Sequence, residues 1–141
     1  MLPPTGGPWE LGEWAMAHGV DLFFGGHPLG TETTQQCRGT NSVNEPVVVR
    51  SGDVFSKGAG TVFVSVGGSG MHPIGTLPHH PEIPTSGGKA WFRKVVAGEN
   101  GGTMYLGATY GVLSWSGEGR TLTLDLKSNG RALLDRLTIN A

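Results

Sequence analysis

The chain has 141 residues and a formal charge of -1, enough for about one domain with a modest core and without the basic stripe that nucleic-acid binding needs. Charged residues make up 15%, and 25 glycines with 9 prolines describe a chain rich in turns, so mostly strand is expected rather than helix. The single cysteine, Cys37, cannot form an internal disulfide. No apolar run approaches the roughly 20 residues that cross a bilayer, and Met1-Leu2-Pro3-Pro4 lacks the regions of a signal peptide, so neither a membrane partner nor export is expected.

One helix signal opens the chain, over Pro8 to His18. Proline suits the first helical position, Glu10 lies near the positive end of the dipole, and Gly19 can take the left-handed stop conformation. Leu11, Trp14, Ala15 and His18 share one face of it. Val20 to Phe24 is too short for a second helix and is bounded by glycines, so it reads as a buried strand. That strand stops in Gly25-Gly26 and delivers His27. In open α/β sheets ligands bind at the carboxyl ends of strands, where these residues would lie. Spacing alone leaves His27 open between a turn residue satisfied by backbone or water and a ligand of a metal or anion.

From Pro28 to Glu45 the polar, turn-forming sequence reads as a loop. Pro46 to Arg50 follows as a short strand and Ser51-Gly52-Asp53 as a turn. Gly60 to Val66 is the strongest strand signal and runs into Gly67-Gly68-Ser69-Gly70. This is not a dinucleotide fingerprint, because Met71-His72-Pro73 breaks the helix that should open there, and no Gly-Lys-Ser/Thr follows to make a P-loop. Residues 71 to 102 read as a second loop region, holding His72, His79 and His80 and interrupted by the apolar patch Ala90-Trp91-Phe92. Adjacent histidines on an extended chain point in opposite directions, which argues against His79-His80 sharing one ion.

The final third reads as antiparallel β-structure, with strands Thr103 to Leu106, Tyr110 to Trp115, Arg120 to Leu126 and Leu133 to Ile139. The linkers Ser116-Gly117-Glu118-Gly119 and Lys127-Ser128-Asn129-Gly130 are of hairpin type. Leu122, Leu124 and Leu126 alternate with Thr121, Thr123 and Asp125, one buried face against one wet face. No repeat or boundary divides the chain, so residues 1–141 are expected to form a single, partial domain.

The order of these elements resembles the C-terminal half of the calcineurin-like metallophosphoesterases, especially the purple acid phosphatase branch. The segment Gly19-Val20-Asp21-Leu22-Phe23-Phe24-Gly25-Gly26-His27 is similar to that family's helix-to-strand segment ending in Gly-His-x-His. Gly60 to Gly70 resembles the strand and glycine turn after the family's ligand loop. Thr109-Tyr110-Gly111-Val112-Leu113, with Leu133 to Ile139, resembles its terminal hairpins. The resemblance implies an α+β fold, mostly β: the C-terminal half of a metallophosphoesterase-type α/β sandwich, with one N-terminal helix followed by strands and hairpins. It also implies a hydrolase of phosphate esters in which two Fe, Zn or Mn ions about 3.5 to 4 Å apart activate a bridging hydroxide.

Matched position by position, His27 takes the place of the first histidine of Gly-His-x-His, a metal ligand. Two residues later the family's second histidine is replaced by Leu29, which cannot coordinate, and Gly30-Thr31-Glu32-Thr33 stands where an aromatic-Glu-Arg run is usual. The family's Asp-x-His, Gly-Asp-x-x-Asp/Tyr and Gly-Asn-His-Glu segments all precede the matched region and have no counterpart here. Gly52-Asp53 falls on the wrong side of the order and reads as a turn. Catalytic residues are thus unassigned, and His27 is the single metal-ligand candidate. Two functions follow as expectations: a phosphoesterase portion inactive by itself, or a non-catalytic β-rich binding or structural module on a degenerate scaffold. The secreted habit of the resembled branch is a hint of location. Without the other half of the sandwich, Leu22, Phe24, Val62 and Val64 are expected to expose apolar surface, through which the chain could form a homodimer.

Overall fold

The computed structural model describes residues 10–25, 31–65, 91–96, 109–128 and 130–141. Within them the chain is mostly β with one helix, the α+β composition expected. In order, the elements are α1 (Glu10–Ala17), β1 (Leu22–Gly25), β2 (Thr31–Thr34), β3 (Gln36–Thr40), β4 (Pro46–Arg50), β5 (Val54–Ser56), β6 (Val62–Ser65), β7 (Phe92–Val96), β8 (Thr109–Ser116), β9 (Thr121–Ser128) and β10 (Leu133–Asn140).

Gly19, at φ +69°, ends α1 as expected. The Val20 N–H then bonds back to the Ala15 carbonyl at 3.0 Å, the contact of a Schellman stop. The helix face differs from expectation. Ala15 and Met16 point inward, whereas Leu11, Trp14 and His18 lie outside, with the His18 ring stacked on Trp14 at 4.5 Å. Small Ala15 lets the helix approach the layer beneath it, and the aromatic pair caps the outer side.

β1 runs parallel to β6 in register Leu22↔Val62 to Gly25↔Ser65, inside a sheet ordered β1-β6-β2-β7. β1 is an edge strand, half-exposed at Leu22 and Phe23 and open at Phe24, not the buried strand that its apolar run suggests. Burial falls instead on β6, whose alternation works on two faces. Val62 and Val64 pack with Phe55, Leu124, Leu126, Leu137 and Ile139 of the second sheet, ordered β5-β10-β9-β8. Phe63, on the reverse face, packs with Met16, Cys37, Val48 and Trp91 beneath α1 and the β3–β4 hairpin. Val62 and Val64 are therefore buried, and of the four residues expected to expose apolar surface, Phe24 is fully open and Leu22 partly so.

The segment Pro28 to Glu45 is not a loop over its described part. It supplies β2 and β3, because its polar residues are buried with partners: the Gln36 Nε2 amide donates to the carbonyls of Ser56 (2.7 Å) and Gly60 (3.2 Å), and the Thr34 hydroxyl accepts the Phe63 N–H at 2.9 Å. Buried polar groups are stable where hydrogen bonds replace water. The second expected loop likewise yields β7, paired antiparallel to β2. β5 is a further strand that its three-residue length concealed, and it pairs parallel to β10.

The β8–β9 hairpin turns at Glu118 (φ +60°) and Gly119 (φ +80°), the sign pattern of a type I′ turn, as its linker composition suggested. The β9–β10 connection departs from the expected Asn-Gly turn. β9 extends to Ser128, Arg131 carries φ +67°, and the Ser128 hydroxyl accepts the Ala132 N–H at 3.2 Å. The expected strand Thr103 to Leu106 lies outside the described residues.

Candidate functional site

The parallel pair β1 and β6 ends at one rim, where Gly25 stands beside Ser65. β2 is antiparallel to β6 and begins at this rim, and β7, antiparallel to β2, ends there with Val96 opposite Thr31. Three carboxyl strand ends thus converge on a single edge of the first sheet. The chain leaves β1 two residues before His27 and leaves β6 at Ser65, just before the glycine run of residues 67–70. His27 itself, with His72, His79 and His80, lies outside the described residues. The topology brings their chain entries to the end of an α/β sheet where ligands bind.

The described donors do not fit a dinuclear metal centre. Among the described residues no group of three or more His, Cys, Asp or Glu side chains converges. The carboxylates are engaged elsewhere. Asp21 accepts the Gly58 N–H at 2.6 Å, Glu13 accepts the Thr40 hydroxyl at 3.0 Å, and Asp125 forms a two-point ion pair with Arg136 at 2.6 and 2.8 Å. Hydrogen bonds from Arg136 hold the Asp125 carboxyl below the usual carboxylate range. Cys37 is no candidate thiolate: burial pushes its pKa up to about 11, against a smaller lowering by its hydrogen bond with Thr34.

The densest polar arrangement surrounds Arg93 on β7, which was not singled out from sequence. Its guanidinium donates from Nε to the Gly52 carbonyl (2.9 Å), from one terminal nitrogen to Asp135 and to the Thr33 hydroxyl (3.2 Å), and from the other to Asp53 (2.6 Å) and the Arg136 carbonyl (2.7 Å). A guanidinium has five N–H donors, and five acceptors meet it. The Arg93 and Asp135 side chains are 6% and 4% exposed, whereas Asp53 is 75% exposed. This clamp ties β7 and β2 to β10 and to the turn before β5. The adjoining open depression, about 380 Å³, is lined by Asp53, Arg93, Leu133, Leu134, Asp135 and Arg136. With every guanidinium proton committed internally, the clamp is structural rather than a receptor for an anion. One sequence signal could have found it: Asp135 shares its strand face with buried Leu137 and Ile139, and a carboxylate at a core position needs a cationic partner.

No family model matches the chain, and no curated protein matches it. Among solved structures, a purple acid phosphatase isolated from yellow lupin (Lupinus luteus) seeds is similar over 97% of this chain, with a TM-score of 0.63 and 19% sequence identity. The chain spans 20% of the length of that protein. The likeness is one of fold.

Proposed function

We propose that this chain is the C-terminal portion of a metal-dependent phosphoesterase of the purple acid phosphatase kind, and that it hydrolyses no phosphate ester by itself. The observation that carries the reading is the fold: nearly the whole chain follows one fifth of a phosphatase of that kind. The order of its motifs adds support, with a Gly-Gly-His turn leaving the rim where parallel strands end. In this reading His27 occupies the position of one ligand to an Fe, Zn or Mn ion, and the substrate of the complete enzyme is a phosphate ester. One ligand side chain does not hold a catalytic ion, and the described carboxylates are committed to hydrogen bonds and ion pairs.

Those commitments favour a second reading, a non-catalytic binding or structural module that kept the scaffold without the chemistry. The two diverge upstream. In-frame codons for Asp-x-His and Gly-Asn-His-Glu segments before Met1 support the phosphoesterase portion, and an unrelated gene or a stop codon there supports the module. For the purified chain, no turnover of p-nitrophenyl phosphate is expected with Zn²⁺, Mn²⁺ or Fe³⁺. Turnover that disappears in His27→Ala refutes the proposed inactivity.

A further inference from the structure

The second sheet ends at β8, and this edge lacks the features that keep sheet edges from pairing. Such edges are protected by shortness, charge, proline or bulges. Every other described edge has one of these: β5 has three residues, β1 has four, β7 carries Arg93 and Lys94, and the β3–β4 hairpin carries Arg38, Pro46 and Arg50. β8 has eight residues, no charge and no proline, and it pairs with β9 from Thr109↔Ser128 to Ser116↔Thr121 without a register shift.

Its side chains are also uncovered on both faces. Leu113 and Trp115 stand opposite Leu124 and Leu122, on the core side of the sheet, yet they are 39% and 64% exposed because the first sheet does not reach under β8. On the reverse side Tyr110 and Val112 are 40% and 41% exposed. A layer docked on one face would leave the other in water. A strand added at the edge covers the flanks of both and satisfies the open backbone groups together.

We infer that β8 is a self-association edge, to which a second copy of this chain adds its own β8 in antiparallel pairing. The absence of charge on β8 means that self-pairing opposes no like charges. The four side chains and the strand backbone of two copies bury roughly 1,000 Å², at the low end for specific interfaces, so the dimer is weak and reversible, populated above roughly 10 µM. A two-fold axis perpendicular to the sheet brings one β8 residue opposite its own copy. Cα separations of opposed residues are about 4.5–5.5 Å, a span that a disulfide bridges.

Sedimentation velocity on the 141-residue chain from about 5 to 500 µM is expected to give a monomer–dimer equilibrium. Val112→Lys should weaken the dimer at least about tenfold, since it places a charge at the apolar edge of each copy. Its circular dichroism should be unchanged, and Val47→Lys, at an exposed valine of β4, should leave the dimer intact. Mild oxidation of Val112→Cys, Leu113→Cys and Ser114→Cys, examined singly, should cross-link the residue on the axis, while buried Cys37 stays reduced. A monomer at every concentration, β8 then being covered within its own chain, overturns the inference. So does a dimer indifferent to Val112→Lys, or the absence of a cross-link at all three positions.

Discussion

Replacing Arg93 by methionine removes one partner of a buried ion pair and leaves the Asp135 carboxylate, 4% exposed, without its cation. Breaking such a pair costs about 3–5 kcal/mol, because the surviving charge has lost its water and its counter-ion together. Total stabilities of domains are about 5–15 kcal/mol, so the loss is a large share of what holds the fold. With a urea slope of about 1–3 kcal/mol per molar, the midpoint should fall by at least about 1 M. The two branches of the clamp should differ. Asp53 is 75% exposed, and Asp53→Ala should cost no more than about 1 kcal/mol, as solvent-screened pairs do. Arg93→Lys should fall between the two, since an ammonium keeps the charge but offers three donors to five acceptors. Urea unfolding followed by far-UV circular dichroism measures all three. A cost below about 1 kcal/mol for Arg93→Met, or an equal cost for Asp53→Ala, refutes the reasoning.

Two further outcomes follow from packing. In Gly60→Ala the new Cβ would sit 2.6 Å from the Cys37 carbonyl oxygen and 3.1 Å from Val49 Cγ2, so backbone must shift. A loss of about 1–3 kcal/mol is expected in the same unfolding assay, and an unchanged midpoint would contradict the close approach. Cys37 should react with a disulfide reagent at pH 8 at least about a hundredfold more slowly in the native chain than in urea, being fully buried with its pKa raised to about 11. Rapid native labelling would show that the cluster of Met16, Cys37 and Trp91 opens easily.

Much of the fold is legible along the chain where the signal is local. The left-handed Gly19, the alternation of Leu122, Leu124 and Leu126, and the glycine-rich turn before Arg120 each depend on a few consecutive residues, and each appears where expected. The residues 31–40 were misread because composition was taken for exposure. Thr33, Thr34 and Gln36 are polar yet buried, and their hydrogen bonds run to Asp135, Phe63, Ser56 and Gly60, positions that sequence spacing does not connect. The candidate site was less legible. His27 rests on its place after a strand and on a resemblance, and the structure fixes the rim from which its segment departs.

Sequence by itself determined the secondary-structure class, the stop of the helix and the two-faced pattern of the last strands, because propensity, turn chemistry and side-chain alternation are short-range. Tertiary structure decided which apolar strand lies inside and which lies at an edge. β1 and β6 carry similar apolar runs, but only β6 has a sheet on one face and a helix with a hairpin on the other. Tertiary structure also decided that Arg93, Asp53 and Asp135 belong to one clamp, since charges 40 and 42 residues apart find each other through strand order rather than through the chain.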